Sequence, residues 1–92
     1  MTLQPGATYN VTVVKILPYG AVVEMEDKST QLVHISNISD KFVRDVADFV
    51  SVGRQYKVDC IEGRVKPLEL SMKKYTADIV LPYHYDRGRK EQ

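Results

Sequence analysis

The side chains able to do chemistry in this 92-residue chain are few: two histidines (His34 and His84), one cysteine (Cys60), and twelve Asp plus Glu. His34 has no nucleophile partner in the sequence around it. No carboxylate pair stands in an apolar setting, and no glycine-rich loop is present to cradle a phosphate. Nothing here assembles an acid–base pair or an activated nucleophile, so the chain is not expected to be an enzyme. A single cysteine excludes an internal disulfide framework and a multi-cysteine metal cluster. Two histidines are too few for a His-rich zinc site, so neither a metal nor a cofactor is expected. Cys60 is in phase with Tyr56 and Val58, which fits a buried, inert thiol. Non-covalent chemistry remains. Tyr19 offers an aromatic face between Pro18 and Gly20, His34 a ring nitrogen, and Arg64 and Lys66 two cations at a turn. Each also has a plain structural reading: Tyr19 as cover beside Pro18, His34 as a half-exposed strand residue, Arg64 and Lys66 as a solvated turn.

A chain of 92 residues suffices for one small domain and is too short for two cores. Hydrophobic residues are 43% and charged residues 27% of it, ordinary globular usage that argues against disorder throughout. The formal charge of +1 argues against a polybasic strategy in which bulk charge alone grips a polyanion. A local patch is still compatible with that total. Residues 1–53 carry four basic and six acidic side chains, whereas residues 54–92 carry nine and six. No apolar run approaches the roughly 20 residues that cross a bilayer. Met1-Thr2-Leu3-Gln4-Pro5-Gly6 lacks the basic and apolar stretches of a secretory signal. A soluble, cytoplasmic protein without membrane association is expected. Met1 and the basic C-terminal residues point to a complete small protein.

The elements that must position these residues follow from periodicity. Residues 8–17 alternate, with Tyr9, Val11 and Val13 on one face and Asn10, Thr12, Val14 and Ile16 on the other, which predicts a strand. Pro18-Tyr19-Gly20 interrupts it, with Gly20 permitting a bulge or sharp bend. A second strand over 21–26 turns Ala21, Val23 and Met25 inward, and residues 26–30 form a polar turn into a third strand over 31–35. The period then changes. Phe42, Val43, Val46, Phe49 and Val50 fall on one helical stripe, with Ser39 or Asp40 as cap and Gly53 as terminator. That stripe predicts a short helix whose Phe42 and Phe49 enter the core. Residues 55–62 form a fourth strand and Leu68, Leu70 and Met72 alternate through a fifth. Five strands with a helix between the third and fourth is the element order of an all-β OB-fold barrel, and that helix favours it over the alternative, an SH3-like barrel. The domain is expected to span residues 1–74. Residues 75–92 form a partly flexible extension, with Ala77–Leu81 packing as a short strand or turn and a tail from Pro82.

Several motifs then stand in register: Gly6-x-x-Tyr9, Val13-x-x-Ile16-x-x-Tyr19-Gly20-Ala21-Val22-Val23-Glu24, Leu32-Val33-His34-Ile35-Ser36, Val52-Gly53, and Leu68-Glu69-Leu70-Ser71-Met72-Lys73. From about Gly6 to Lys73 the chain resembles the S1 RNA-binding domain, the OB-type module found in ribosomal protein S1 and polynucleotide phosphorylase. The resemblance implies RNA lying across strands two and three, on two aromatics, a histidine and polar residues near the last hairpin. By motif position the first aromatic is Tyr19 and the histidine is His34. The second aromatic position carries Val22, which cannot stack a base. The acidic position near the end of strand four carries Arg64, and the basic position falls on Leu68 or its neighbours. A glycine usual in the first strand is replaced by Val11.

The residues that do match suit the role. Stacking on an aromatic contributes roughly 1–3 kcal/mol per base and tolerates any base, because each has a π face. His34 can stack or donate to phosphate, and Arg64, Lys66, Lys15 and Lys57 can contact phosphate. Tyr19, Val22, His34, Arg64 and Lys66 are therefore the candidate RNA-binding residues. The expected function is non-catalytic, weak, salt-sensitive, sequence-tolerant binding of single-stranded RNA in RNA processing or translation. A ribosome or an RNA-processing enzyme is the wider partner expected. The alternative is a protein-interaction adaptor on the same barrel, favoured by Val22 and Arg64 at the two departures.

Overall fold

The computed structural model describes residues 3–63 and 66–77. Five strands form one antiparallel sheet in the order β3-β2-β1-β4-β5. They are β1 (Thr8–Leu17), β2 (Gly20–Glu24), β3 (Thr30–His34), β4 (Gln55–Glu62) and β5 (Leu68–Ser71). The first strand serves two neighbours. Thr12–Leu17 pairs with β2, while Thr8–Thr12 pairs with β4. Between Val13 and Lys15 the register with β2 shifts, leaving Val14 as an extra residue. A bulge of this kind bends and twists its strand. Here it curls the sheet so that its two edge strands, β3 and β5, come alongside one another. The result is the curled half-barrel of an OB-fold. The bulge falls at Val14 and not at Gly20, where β1 turns into β2 through the two residues Pro18 and Tyr19.

Alternation explains the core. Val11 and Val13 of β1, Ala21 and Val23 of β2, Val33 of β3, Val58 and Cys60 of β4 and Leu70 of β5 are all buried, together with Met25 and Met72. Burial pushes the Cys60 thiol above its ordinary pKa, which disfavours the reactive thiolate. The half-buried Tyr56 also packs against this cluster.

The segment between β3 and β4 departs from the helix that periodicity predicts. It holds two single 3-10 turns, Ile35–Asn37 and Val46–Asp48. Polar side chains capture the backbone donors that a longer helix would need. Ser39 Oγ accepts from the Lys41 N–H, and Asp45, itself extended, accepts from the Ala47 N–H, each at 3.0 Å. The cap is therefore Asp45, not Ser39 or Asp40. Val46, Phe49 and Val50 still plug the core, and Val43 packs beside them, but Phe42 is 45% exposed and is not a core residue. An apolar stripe does not distinguish a helix from a loop that inserts the same residues. Gly53, at φ 89°, turns the loop back so that its N–H donates to the Val13 carbonyl.

After β5 a short helix, α1 (Lys73–Thr76), packs on the barrel. Thr76, 1% exposed, donates from Oγ1 to the Ile38 carbonyl at 2.8 Å. Tyr75 donates its hydroxyl to Asp59 Oδ1 at 2.7 Å, where Thr8 Oγ1 also donates at 2.8 Å. Packing thus continues past Lys74. Of the short strand or turn expected over Ala77–Leu81, residues 78–81 lie outside the described residues, as does the tail from Pro82.

Two predictions arise here. Phe49→Ala should cost about 3–5 kcal/mol of unfolding free energy, whereas Phe42→Ala should stay within about 1 kcal/mol, in urea melts. The hydrogen bond from Tyr75, then that from Thr8, holds the Asp59 carboxyl below its ordinary value of 3.8. A folded-state pKa depressed in this way adds stability above the ordinary value, and that stability is lost as pH falls through the lowered one. Asp59→Asn should therefore be less stable than the parent at pH 7. The gap should narrow steadily below about pH 4 in thermal melts.

Candidate nucleic-acid interface

The tip of the β1–β2 turn is tied to the end of β3. The Tyr19 carbonyl accepts from the Ile35 N–H at 2.8 Å, and Gly20 stands opposite His34 in the β2–β3 ladder. Only glycine fits at position 20, since a Cβ there would overlap the Val33 carbonyl oxygen. This close approach brings two stretches far apart in sequence together at the backbone: the turn that carries Tyr19, 53% exposed, and the end of β3 that carries the exposed His34.

His34 is oriented by the 3-10 turn that it caps. Its Nδ1 accepts from the Ser36 N–H at 3.1 Å, and the Ser36 hydroxyl lies 2.9 Å from the same nitrogen. With Nδ1 accepting, the ring proton sits on Nε2, leaving a donor on the far edge of the ring. Along the same outward face Val22 stands opposite Leu32, both half-buried. Lys15 pairs with Val22 from the other side, so cross-strand geometry sets its cation on this face.

Where β3 meets the β4–β5 hairpin, a groove of about 430 Å³ opens. Leu32, His34, Ser36 and Asn37 form one side of it; Ile61, Glu62, Lys66, Glu69 and Lys73 form the other. Of the expected site residues, His34 and Lys66 line this groove. Val22 adjoins it through its pairing with Leu32, and the Tyr19 carbonyl bonds to Ile35 just past β3, while Arg64 lies outside the described residues. Lys57 pairs with Asn10 and is not part of the lining. The groove is not uniformly basic: Glu62 and Glu69 line it together with Lys66 and Lys73. Lys73 also lies 3.7 Å from Asp40 on the surface, a pairing that solvent weakens.

Sequence reasoning missed Leu32 and Ile61, the aliphatic part of the lining. A signal existed, because each is an apolar residue in phase with the polar face of its strand, and Ile61 is 37% exposed. It also missed Asn37 and Glu69, joined at 3.0 Å across the seam. No spacing rule reveals a contact between residues so distant in the chain. Among the described residues no group of three His, Cys, Asp or Glu could hold a metal ion, and no helix is long and apolar enough to cross a membrane. The arrangement offers one aromatic platform, one oriented ring donor and scattered cations around a partly apolar groove. Such groups can hold a flexible polyanion that carries planar bases.

Comparison with known proteins agrees with this fold. A polyribonucleotide nucleotidyltransferase from Rhodospirillum rubrum is 43% identical over 72 residues, covering 74% of this chain and 10% of that protein. The chain thus spans a small part of the curated relatives it matches. The solution structure of GSP13 from Bacillus subtilis superposes with a TM-score of 0.69 at 25% identity, covering 98% of this chain and 66% of that one. A chain in the a/eIF2alpha-aDim2p-rRNA complex from Pyrococcus horikoshii gives a TM-score of 0.68 at 26% identity, with 80% and 46% covered. The family model described as the S1 RNA binding domain matches residues 2–74, and on that match this chain belongs to the S1 RNA-binding domain family.

Proposed function

We propose that this chain is a non-catalytic module that binds single-stranded RNA weakly and with little base preference, in RNA processing or translation. The observation that carries this reading is that the Tyr19 backbone is tied to the end of β3, where the exposed His34 lines a groove together with Lys66. Tyr19 supplies the stacking platform, and the Nε2 proton of His34 meets phosphate or a base edge. Lys15 and Lys66 supply attraction from either side of the platform. Arg64 is proposed as a further phosphate contact on the strength of its motif position. Val22 and Leu32 add apolar contact where a second aromatic would otherwise stack. With one ring in place of two and balanced charge in the groove, affinity is low. A ribosome or an RNA-processing enzyme is the wider assembly in which so weak a module gains from multivalency.

Val22 also favours a second reading, in which the aliphatic Val22–Leu32 face docks a protein. The two readings separate in one titration. With a labelled single-stranded RNA of about a dozen nucleotides, binding by fluorescence anisotropy should weaken as salt rises and weaken again in Tyr19→Ala, by about 1–2 kcal/mol, the lower part of the stacking range. Circular dichroism should report an unchanged fold. Unaltered affinity in a folded Tyr19→Ala variant removes the stacking role. No binding by the parent even at low salt favours the protein-docking reading.

A further inference from the structure

Glu69 of β5 reaches both walls of the groove. Its Oε1 accepts from the Asn37 side-chain amide at 3.0 Å, and its Oε2 accepts from the Lys66 backbone N–H at 3.3 Å. Asn37, 6% exposed, belongs to the 3-10 turn that His34 caps. The Asn37 carbonyl in turn accepts from the Met72 N–H at 3.0 Å, so this turn is pinned to the end of β5 through both backbone and side chain. On the opposite wall, the hairpin carrying Lys66 is closed by the Gly63 N–H donating to the Pro67 carbonyl. Gly63 makes room for the bridge. A Cβ at that position would overlap Cγ and Cδ of Glu69 and the Lys66 carbonyl.

On charge alone a carboxylate is misplaced in a groove for a polyanion. It repels phosphate, and its removal would tighten RNA binding. The geometry points to a different role. We infer that Glu69 is a positioning residue for RNA: it bridges Asn37 to the Lys66 backbone and so fixes the hairpin cation and His34 on facing walls. The inference rests on the RNA-binding reading of this face. Its physical benefit is preorganisation, because a hairpin already held in place loses less freedom when the ligand arrives. An ionised carboxylate suits the task, since it can accept a separate donor on each oxygen.

The opposing signs of the two effects make the test sharp. Parent, Glu69→Ala, Glu69→Gln and Gly63→Ala are titrated with the same single-stranded RNA, and hydrogen exchange at the Lys66 amide is followed by NMR without RNA. Bridging predicts that Glu69→Ala weakens binding by about fivefold, the factor that about one net hydrogen bond sets. Glu69→Gln keeps an acceptor for Asn37 but turns an NH2 toward the Lys66 N–H, so it should weaken binding by less. Gly63→Ala leaves every charge in place and should weaken binding by displacing the Glu69 side chain and the Lys66 backbone that it holds. Exchange at the Lys66 amide should quicken in all three variants. Tighter or unchanged binding in both Glu69 variants, or a Lys66 amide that exchanges as in the parent, overturns the inference. A parent that binds no RNA overturns the functional reading and Glu69's role with it, an outcome distinct from a binding parent indifferent to Glu69.

Discussion

A small sheet can hide its edges only by bending, and in this chain the bend resides in β1. The extra residue Val14 lets one strand run beside β2 with its second half and beside β4 with its first. Without that bend, β3 and β5 would be two distant open edges, each offering unpaired backbone groups to other chains. With it they meet, and the turn after β3 bonds to β5 and to the segment beyond it through Asn37 and Ile38. The groove is a product of this closure. It exists because two strands remote in order are brought edge to edge without being zipped into a continuous ladder.

Strand alternation was legible because each strand has one buried face, and burial imposes a period of two; it fails only past the bulge at Val14, where Ile16, expected on the outer face, packs against the core. Val11 and Val13, Ala21 and Val23, Val58 and Cys60 are buried as that period requires. The helix between β3 and β4 was not legible, since the stripe of Val46, Phe49 and Val50 is satisfied equally by a loop that inserts them. Asp45 decided the outcome by capping a single turn, and Phe42 was left 45% exposed. At the site, the nearness of Tyr19 to His34 was recoverable only through motif resemblance. In the structure it follows from the absence of a Cβ at Gly20. The bridge through Glu69 was invisible, because it depends on closure and not on any local pattern.

The balance of charges in the groove bears on how this face works. Among the described lining residues, Lys66 and Lys73 are offset by Glu62 and Glu69, which moderates the attraction these four offer a polyanion. On the proposed reading, retention comes from short-range geometry: one ring, one oriented imidazole donor, and walls that the Glu69 bridge holds apart. The Rhodospirillum rubrum relative carries the matching segment within a much longer chain.

The most direct test is to map RNA onto the surface by NMR, following backbone amide shifts of the 15N-labelled chain as a short single-stranded RNA is added. RNA on this face requires the largest shifts at Tyr19, Gly20, His34 and Lys66, with smaller ones at Val22 and Leu32. The separate polar depression lined by Asn10, Glu26 and Gln55 should stay unmoved. Shifts concentrated on that second surface, or none at all near Tyr19 and His34 when RNA is in excess, would contradict it.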